Sequence, residues 1–131
     1  MTVIKKLNDL DIILNKLSRN KILGLVPTMG SLHKGHISLI KSALKYSDEV
    51  WVSIFVNPTQ FNDINDYKKY PVNSKEDINI IKSIDQNINI FIPGIDDIYG
   101  KKIIRDKFNF DGIDEILEGI KRPGHFDGVA T

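Results

Sequence analysis

Apolar and polar positions alternate along the chain with two different periods. Leu7, Leu10, Ile13, Leu14 and Leu17 recur at steps of three and four, which predicts one face of an amphipathic helix. Ile22-Leu23-Gly24-Leu25-Val26 is a short apolar run closed by Pro27 and predicts a buried strand. Pro27 to Gly35 reads as a loop of turn formers, and Ile37, Ile40, Ala43 and Leu44 predict a helix from His36 to about Tyr46. Val50 to Val56 predicts a second strand, ended by Asn57-Pro58. Thr59 to Asn73 is polar, aromatic and aperiodic. At about fifteen residues it is long for a structureless loop, which points to function. Ser74 with Asp77 resembles a capping box, with Ile78, Ile81 and Ile84 inward on the helix that follows to about Asp85. Ile88 to Ile92 predicts a third strand, ended by Pro93-Gly94. Beyond it, the pattern suggests a helical turn at Ile95–Tyr99, a short strand at Lys107–Phe110 and a short helix around Ile113, Ile116 and Leu117. A turn follows at Arg122–Phe126, and a new apolar element opens at Gly128. Strands alternating with helices predict an α/β fold with a parallel sheet and right-handed crossovers.

Composition narrows the function classes. The 131 residues carry 18 Lys+Arg against 17 Asp+Glu, a formal charge of +1, so bulk electrostatics do not suggest a nucleic-acid binder. Hydrophobic content of 41% and charged content of 27% are those of a globular chain. The absence of cysteine removes a disulfide scaffold, a thiolate metal site and a cysteine nucleophile. The first residues carry early charges and no continuous apolar stretch, unlike a secretory signal, and no apolar run approaches the ~18 residues of a membrane span. A cytoplasmic protein without membrane contact is the expectation.

The chemistry concentrates in Pro27-Thr28-Met29-Gly30-Ser31-Leu32-His33-Lys34-Gly35-His36. Two histidines flank a glycine where a strand gives way to a helix. Open α/β sheets bind ligands at the carboxyl ends of their strands. A helix start offers unpaired N–H groups and partial positive charge, both suited to phosphate. Imidazoles placed there can donate to phosphoryl oxygens as charge develops, and Gly35 lets the backbone approach closely. A lone histidine more often satisfies a turn; His-x-Gly-His in this context favours the functional reading. A metal site lacks a third ligand at a fitting spacing.

The stretch VPTMGSLHKGH resembles the signature of the pantoate–β-alanine ligase (pantothenate synthetase) family, within the His-x-Gly-His nucleotidyltransferase superfamily. Four further segments match in order: SIFVNPTQF at 53–61, KYP at 69–71, PGIDDIYG at 93–100 and LEGIKRPGHFDGVAT at 117–131. The resemblance implies a Rossmann-like parallel sheet of that superfamily, with 1–131 as the N-terminal part of the nucleotide- and pantoate-binding domain. It implies ATP-dependent ligation of pantoate and β-alanine through pantoyl adenylate, releasing pyrophosphate and AMP. By the same resemblance Met29, Gly30, Ser31, Leu32, His33, Lys34, Gly35 and His36 form the ATP-binding loop. His33 and His36 contact phosphate oxygens, His36 as proton donor or charge stabiliser. Gln60 and Asn57 read pantoate and β-alanine, with a strand-ending turn residue as an equally good reading of Asn57; Mg2+ arrives bound to the phosphates, and the complete protein is a homodimer. Tyr70, Arg122 and His125 lie in matching segments, where packing around the site is at least as good a reading as direct contact. Trp51, Phe55 and Phe61 are expected in the core or the pocket wall.

Two departures accompany the match. Val72 stands where the family usually carries a basic residue. A Lys-Asp-x-Gln-Gln segment, a basic loop and a C-terminal lid domain are not found in these 131 residues, so later strands are expected to be missing and strand 22–26 to be left as an apolar edge. Two competing readings follow: a non-catalytic fragment or partner-dependent binding module, and another His-x-Gly-His nucleotidyltransferase, against which NPTQF argues.

Overall fold

The structure is a computed structural model that describes residues 1–17, 20–116 and 118–131. Among these it forms two compact units, Met1–Phe55 with Pro71–Ile98, and Val56–Tyr70 with Tyr99–Thr131.

The first unit is built on a parallel sheet of four strands: β1 (Val3–Ile4), β2 (Leu23–Thr28), β3 (Glu49–Ile54) and β4 (Asn89–Phe91), in the order β1-β4-β3-β2. The helices α1 (Leu7–Leu14), α2 (Lys34–Tyr46) and α4 (Ser74–Ile84) connect them, while α3 (Ile64–Lys69) belongs to the second unit. The expected Rossmann-like α/β sheet is therefore present, with one strand more than the sequence suggested. A two-residue strand such as β1 is too short to show a period.

Alternation along β3 sends neighbouring side chains to opposite faces. Val50, Val52 and Ile54 join Val26, Ile88 and Ile90 beneath Ile40 of α2 and Ile81 of α4, while Trp51 and Phe91 meet Ile4 and are covered by Leu10 and Ile13 of α1. Register follows this pairing, with Val26 beside Val52 and Val52 beside Ile90. Ile78 and Ile84 of α4 pack on the same core, as the spacing predicts.

Several expectations change. β2 is the edge strand, as expected, but it is half buried rather than a buried strand: Val26 and Thr28 point inward, whereas Leu23 and Leu25 are exposed. It also runs through Pro27 to Thr28, because an edge strand tolerates a residue without an N–H. Helix α2 begins at Lys34, two residues before the predicted start at His36. The cap of α4 is Asn73, whose Oδ1 accepts from Glu76 N (3.3 Å) while its Nδ2 donates to Glu76 Oε2 (2.7 Å); Ser74 and Asp77 do not form the box.

The segment 59–73, most of it in the second unit, is not structureless: a 3-10 turn at Pro58–Gln60 and helix α3 interrupt it. Phe61 packs edge-on against Tyr67 and Tyr70. After the helical turn α5 (Ile95–Tyr99), residues 107–110 form no strand. Phe108 and Phe110 instead stack with each other, and Phe110 with Phe126. Ile113–Glu115 is a 3-10 turn and α6 covers Glu118–Lys121; Leu117, expected in that helix, lies outside the described residues. The turn at Arg122 is shorter than expected, since α7 (His125–Ala130) starts at His125 and absorbs the apolar Gly128 segment.

Candidate active site

The loop between β2 and α2 is held at each step by a named contact. Thr28, at the end of β2, donates from its hydroxyl to Ser53 O (2.8 Å) and accepts from Gly30 N (3.2 Å). Gly30 has φ +82°, and a Cβ there would lie 2.9 Å from Asp77 Oδ2 and 3.2 Å from Ile54 Cγ2, so both conformation and space require glycine. Ser31 follows at φ +52°, with its N–H on Asp77 Oδ2 (3.0 Å) and its hydroxyl on Pro71 O (3.0 Å). Leu32 N–H donates to Asp77 Oδ1 (2.8 Å), and its side chain packs on the core. Met29 is half-buried beside them and Lys34 is exposed at the first position of α2.

His33 and His36 cap α2 reciprocally. His33 Nδ1 accepts from Gly35 N (3.1 Å), and His36 Nδ1 accepts from His33 N (3.3 Å), with the rings 4.0 Å apart. A Cβ on Gly35 would meet the His33 ring, 2.9 Å from Cε1, so this glycine makes room for an imidazole. The caps assign the tautomers: an Nδ1 that accepts bears no proton, so each neutral ring carries its proton on Nε2. Two Nε2–H donors at the start of a thirteen-residue helix, where the backbone carries partial positive charge, suit phosphoryl oxygens. His36 is held below the ordinary histidine range, first by burial and then by His33, with Asp77 pulling the other way. It is therefore a neutral donor near pH 7.

Asn57, Gln60 and His125 lie in the second unit. Asn57 is buried, and both polar atoms of its carboxamide are hydrogen-bonded. Its Oδ1 accepts from Thr59 N (3.1 Å), Thr59 Oγ1 (2.7 Å) and Tyr99 OH (2.6 Å), and its Nδ2 donates to Gly128 O (2.9 Å). Helix α7 comes this close only because residue 128 is glycine; a Cβ there would collide with Thr59 O. Arg105 Nη1 donates to Thr59 O (3.3 Å) and Gly124 O (3.1 Å), and His125 Nδ1 donates to Gln60 O (2.9 Å). His125 thus secures the backbone of Gln60. Among the described residues no hydrogen bond engages the Gln60 carboxamide, and Gln60 lines a pocket of about 250 Å³ with Phe61, Asp63, Lys121 and Arg122. Tyr70 packs on Phe61, and Trp51 is buried in the sheet.

Sequence reasoning missed Asp77 as a partner of the loop, and Tyr99 and Arg105 as supports of the Asn57 turn. Tyr99 lies inside a matched segment, which was its only signal.

The Pantoate-beta-alanine ligase family model matches residues 2–131. The chain belongs to the pantoate–β-alanine ligase family. Among relatives in this family, the pantothenate synthetase of Christiangramia forsetii is 50% identical over 114 residues, 87% of this chain and 40% of that protein. The pantothenate synthetase of Francisella tularensis subsp. novicida is 47% identical over 132 residues, 100% of this chain and 50% of that protein. The crystal structure of the Francisella tularensis pantoate–β-alanine ligase complexed with β,γ-ATP and β-alanine superposes with a TM-score of 0.88 at 46% identity. That match covers 98% of this chain and 49% of that one. The Thermus thermophilus enzyme gives a TM-score of 0.85 at 35% identity, over 100% and 46% of the two chains. The chain thus spans about half the length of these pantoate–β-alanine ligase relatives.

Proposed function

We propose that the protein takes part in the ATP-dependent joining of pantoate and β-alanine. Pantoate carboxylate attacks the α-phosphorus of ATP to give pantoyl adenylate and pyrophosphate; the amine of β-alanine then displaces AMP to give pantothenate. The observation that carries this reading is the paired cap of α2, which fixes both loop histidines as Nε2–H donors at a helix start. In-line displacement needs positioning and charge stabilisation more than a protein nucleophile. His33 and His36 would donate to the phosphates, His36 to the oxygen on which charge builds. Residues Met29–His36 would line the nucleotide, and the unengaged amide of Gln60 would donate to and accept from pantoate and β-alanine. Asn57 would serve the same substrates mainly by holding the turn that carries Gln60, since both of its polar atoms already bond within that turn or to Gly128.

Mg2+ would enter with ATP, held by phosphates and water. Among the described residues no cluster of His, Asp and Glu is arranged to hold a metal, and both oxygens of Asp77 are occupied by amides. We read residues 1–131 as the N-terminal part of the nucleotide- and pantoate-binding domain, and by family resemblance we propose a cytoplasmic homodimer for the complete protein. Among the described residues no helix is long and apolar enough to cross a membrane.

The test is pyrophosphate release by the full chain with ATP and pantoate, followed by AMP and pantothenate on adding β-alanine. Release with a phosphorylated acceptor in place of pantoate would instead indicate another nucleotidyltransferase.

A further inference from the structure

We propose that Asp77 is a positioning residue for the histidine loop: its buried carboxylate grips the successive N–H groups of Ser31 and Leu32 and so fixes the chain path that delivers His33 and His36 to the start of α2. The catalytic consequence rests on the function proposed above.

Asp77 is 2% exposed, and a carboxylate so deep in a fold survives as a charge only where donors replace its water. It sits in the first turn of α4, where the helix field favours negative charge. A capping acid would turn back onto its own helix. Here Asn73 performs that task, and both Asp77 oxygens cross to a loop more than forty residues away, at 3.0 Å to Ser31 N and 2.8 Å to Leu32 N.

The grip has a conformational purpose. Gly30 and Ser31 are consecutive left-handed residues, at φ +82° and +52°. Serine does not hold that region for its own sake. Two adjacent N–H groups converging on one carboxylate supply the compensation, and the reversal they enforce leads into His33 in an extended conformation, φ −128°. Both imidazole caps depend on that conformation, since one uses the N–H of His33 and the other its ring. Asp77 acts on the phosphate-facing histidines through the backbone, without touching substrate itself.

The test is Asp77→Asn in the full chain. The carboxamide keeps the shape and one acceptor but turns an NH2 toward an amide N–H. Amide hydrogen exchange at Ser31 and Leu32 should accelerate by about tenfold or more, the equivalent of one lost charge-assisted bond, while Val52 and Ile90 in the sheet stay as protected as before. Nitrogen shifts of the His36 ring should lose the single-tautomer signature. kcat for pyrophosphate release should fall by roughly tenfold with KM for pantoate little changed. Gly30→Ala drives a Cβ toward Asp77 Oδ2 from the other side and should loosen the same two amides, which covers the case of an Asp77 variant too unstable to read. Unchanged exchange at Ser31 and Leu32 in both variants overturns the proposal, as does a loosened loop with unaltered kcat. If the unsubstituted protein releases no pyrophosphate, the functional reading fails on its own, and the exchange rates still decide whether Asp77 holds the loop.

Discussion

In His36, Nδ1 is spent on the backbone of His33 and Nε2–H remains for a ligand, so substitution can separate the two uses. Asparagine places its Oδ1 near the position of Nδ1 and offers nothing at Nε2. His36→Asn should therefore keep the cap and the melting temperature while lowering kcat by about a hundredfold, the cost of one preorganised donor. Wild-type turnover in that variant would remove His36 from the reaction. The same residue carries a pH dependence. Burial and His33 push His36 below the ordinary value of about 6.5, against a smaller opposing pull from Asp77. The unfolded chain then takes up a proton that the folded chain refuses. The stability His36 contributes is full above about pH 6.5 and is lost as pH falls through that value toward the lower folded one. Melting curves between about pH 7 and pH 5 should fall less steeply for His36→Asn than for the parent. For Gln60, with its unengaged amide, Gln60→Ala should raise KM for pantoate by about tenfold and leave the fold intact; unaltered pantoate dependence would contradict its assignment.

At the scale of elements, the two units are held by different means. Every buried hydrophobic side chain among the described residues belongs to the first unit, including Val52, Ile81 and Ile90. The second unit buries Asn57 and Thr59 and depends on the bonds that Tyr99, Arg105 and Gly128 make to them. Polar networks yield a smaller net gain than apolar burial, so the amides of Thr59 and Gln60 should exchange well before those of Val52 and Ile90. Tyr99→Phe should widen that gap by about 1 kcal/mol without lowering the protection of the sheet. This difference also explains what was legible. β3, β4, α2 and α4 announce themselves because burial against one core imposes a period on Ile, Val and Leu. Phe108 and Phe110 alternate like a strand, but their partners are each other and Phe126, and no sheet is there to receive them. The turn at Pro58–Gln60 and helix α3 were hidden because polar caps leave no period.

For the whole molecule, the family and the histidine loop were readable because VPTMGSLHKGH and NPTQF are local strings. What holds them was not, because Asp77 meets Leu32 across 45 residues and Gly128 meets Asn57 across 71. A sequence window registers the donor or the acceptor, never the pair. One feature of the sheet bears on how molecules meet. The Ile22 and Thr28 carbonyls face β3, so the backbone groups of Leu23, Leu25 and Pro27 face away from it. Leu23 and Leu25 can each offer an N–H to an incoming strand, and Pro27 cannot. The third rung of any such ladder is missing its donor, at the end nearest the histidine loop. Any strand that joins this margin, from the same protein or from a second molecule, therefore forms one hydrogen bond fewer beside Pro27. Pro27→Ala, which restores the donor, should raise concentration-dependent light scattering above that of the parent chain.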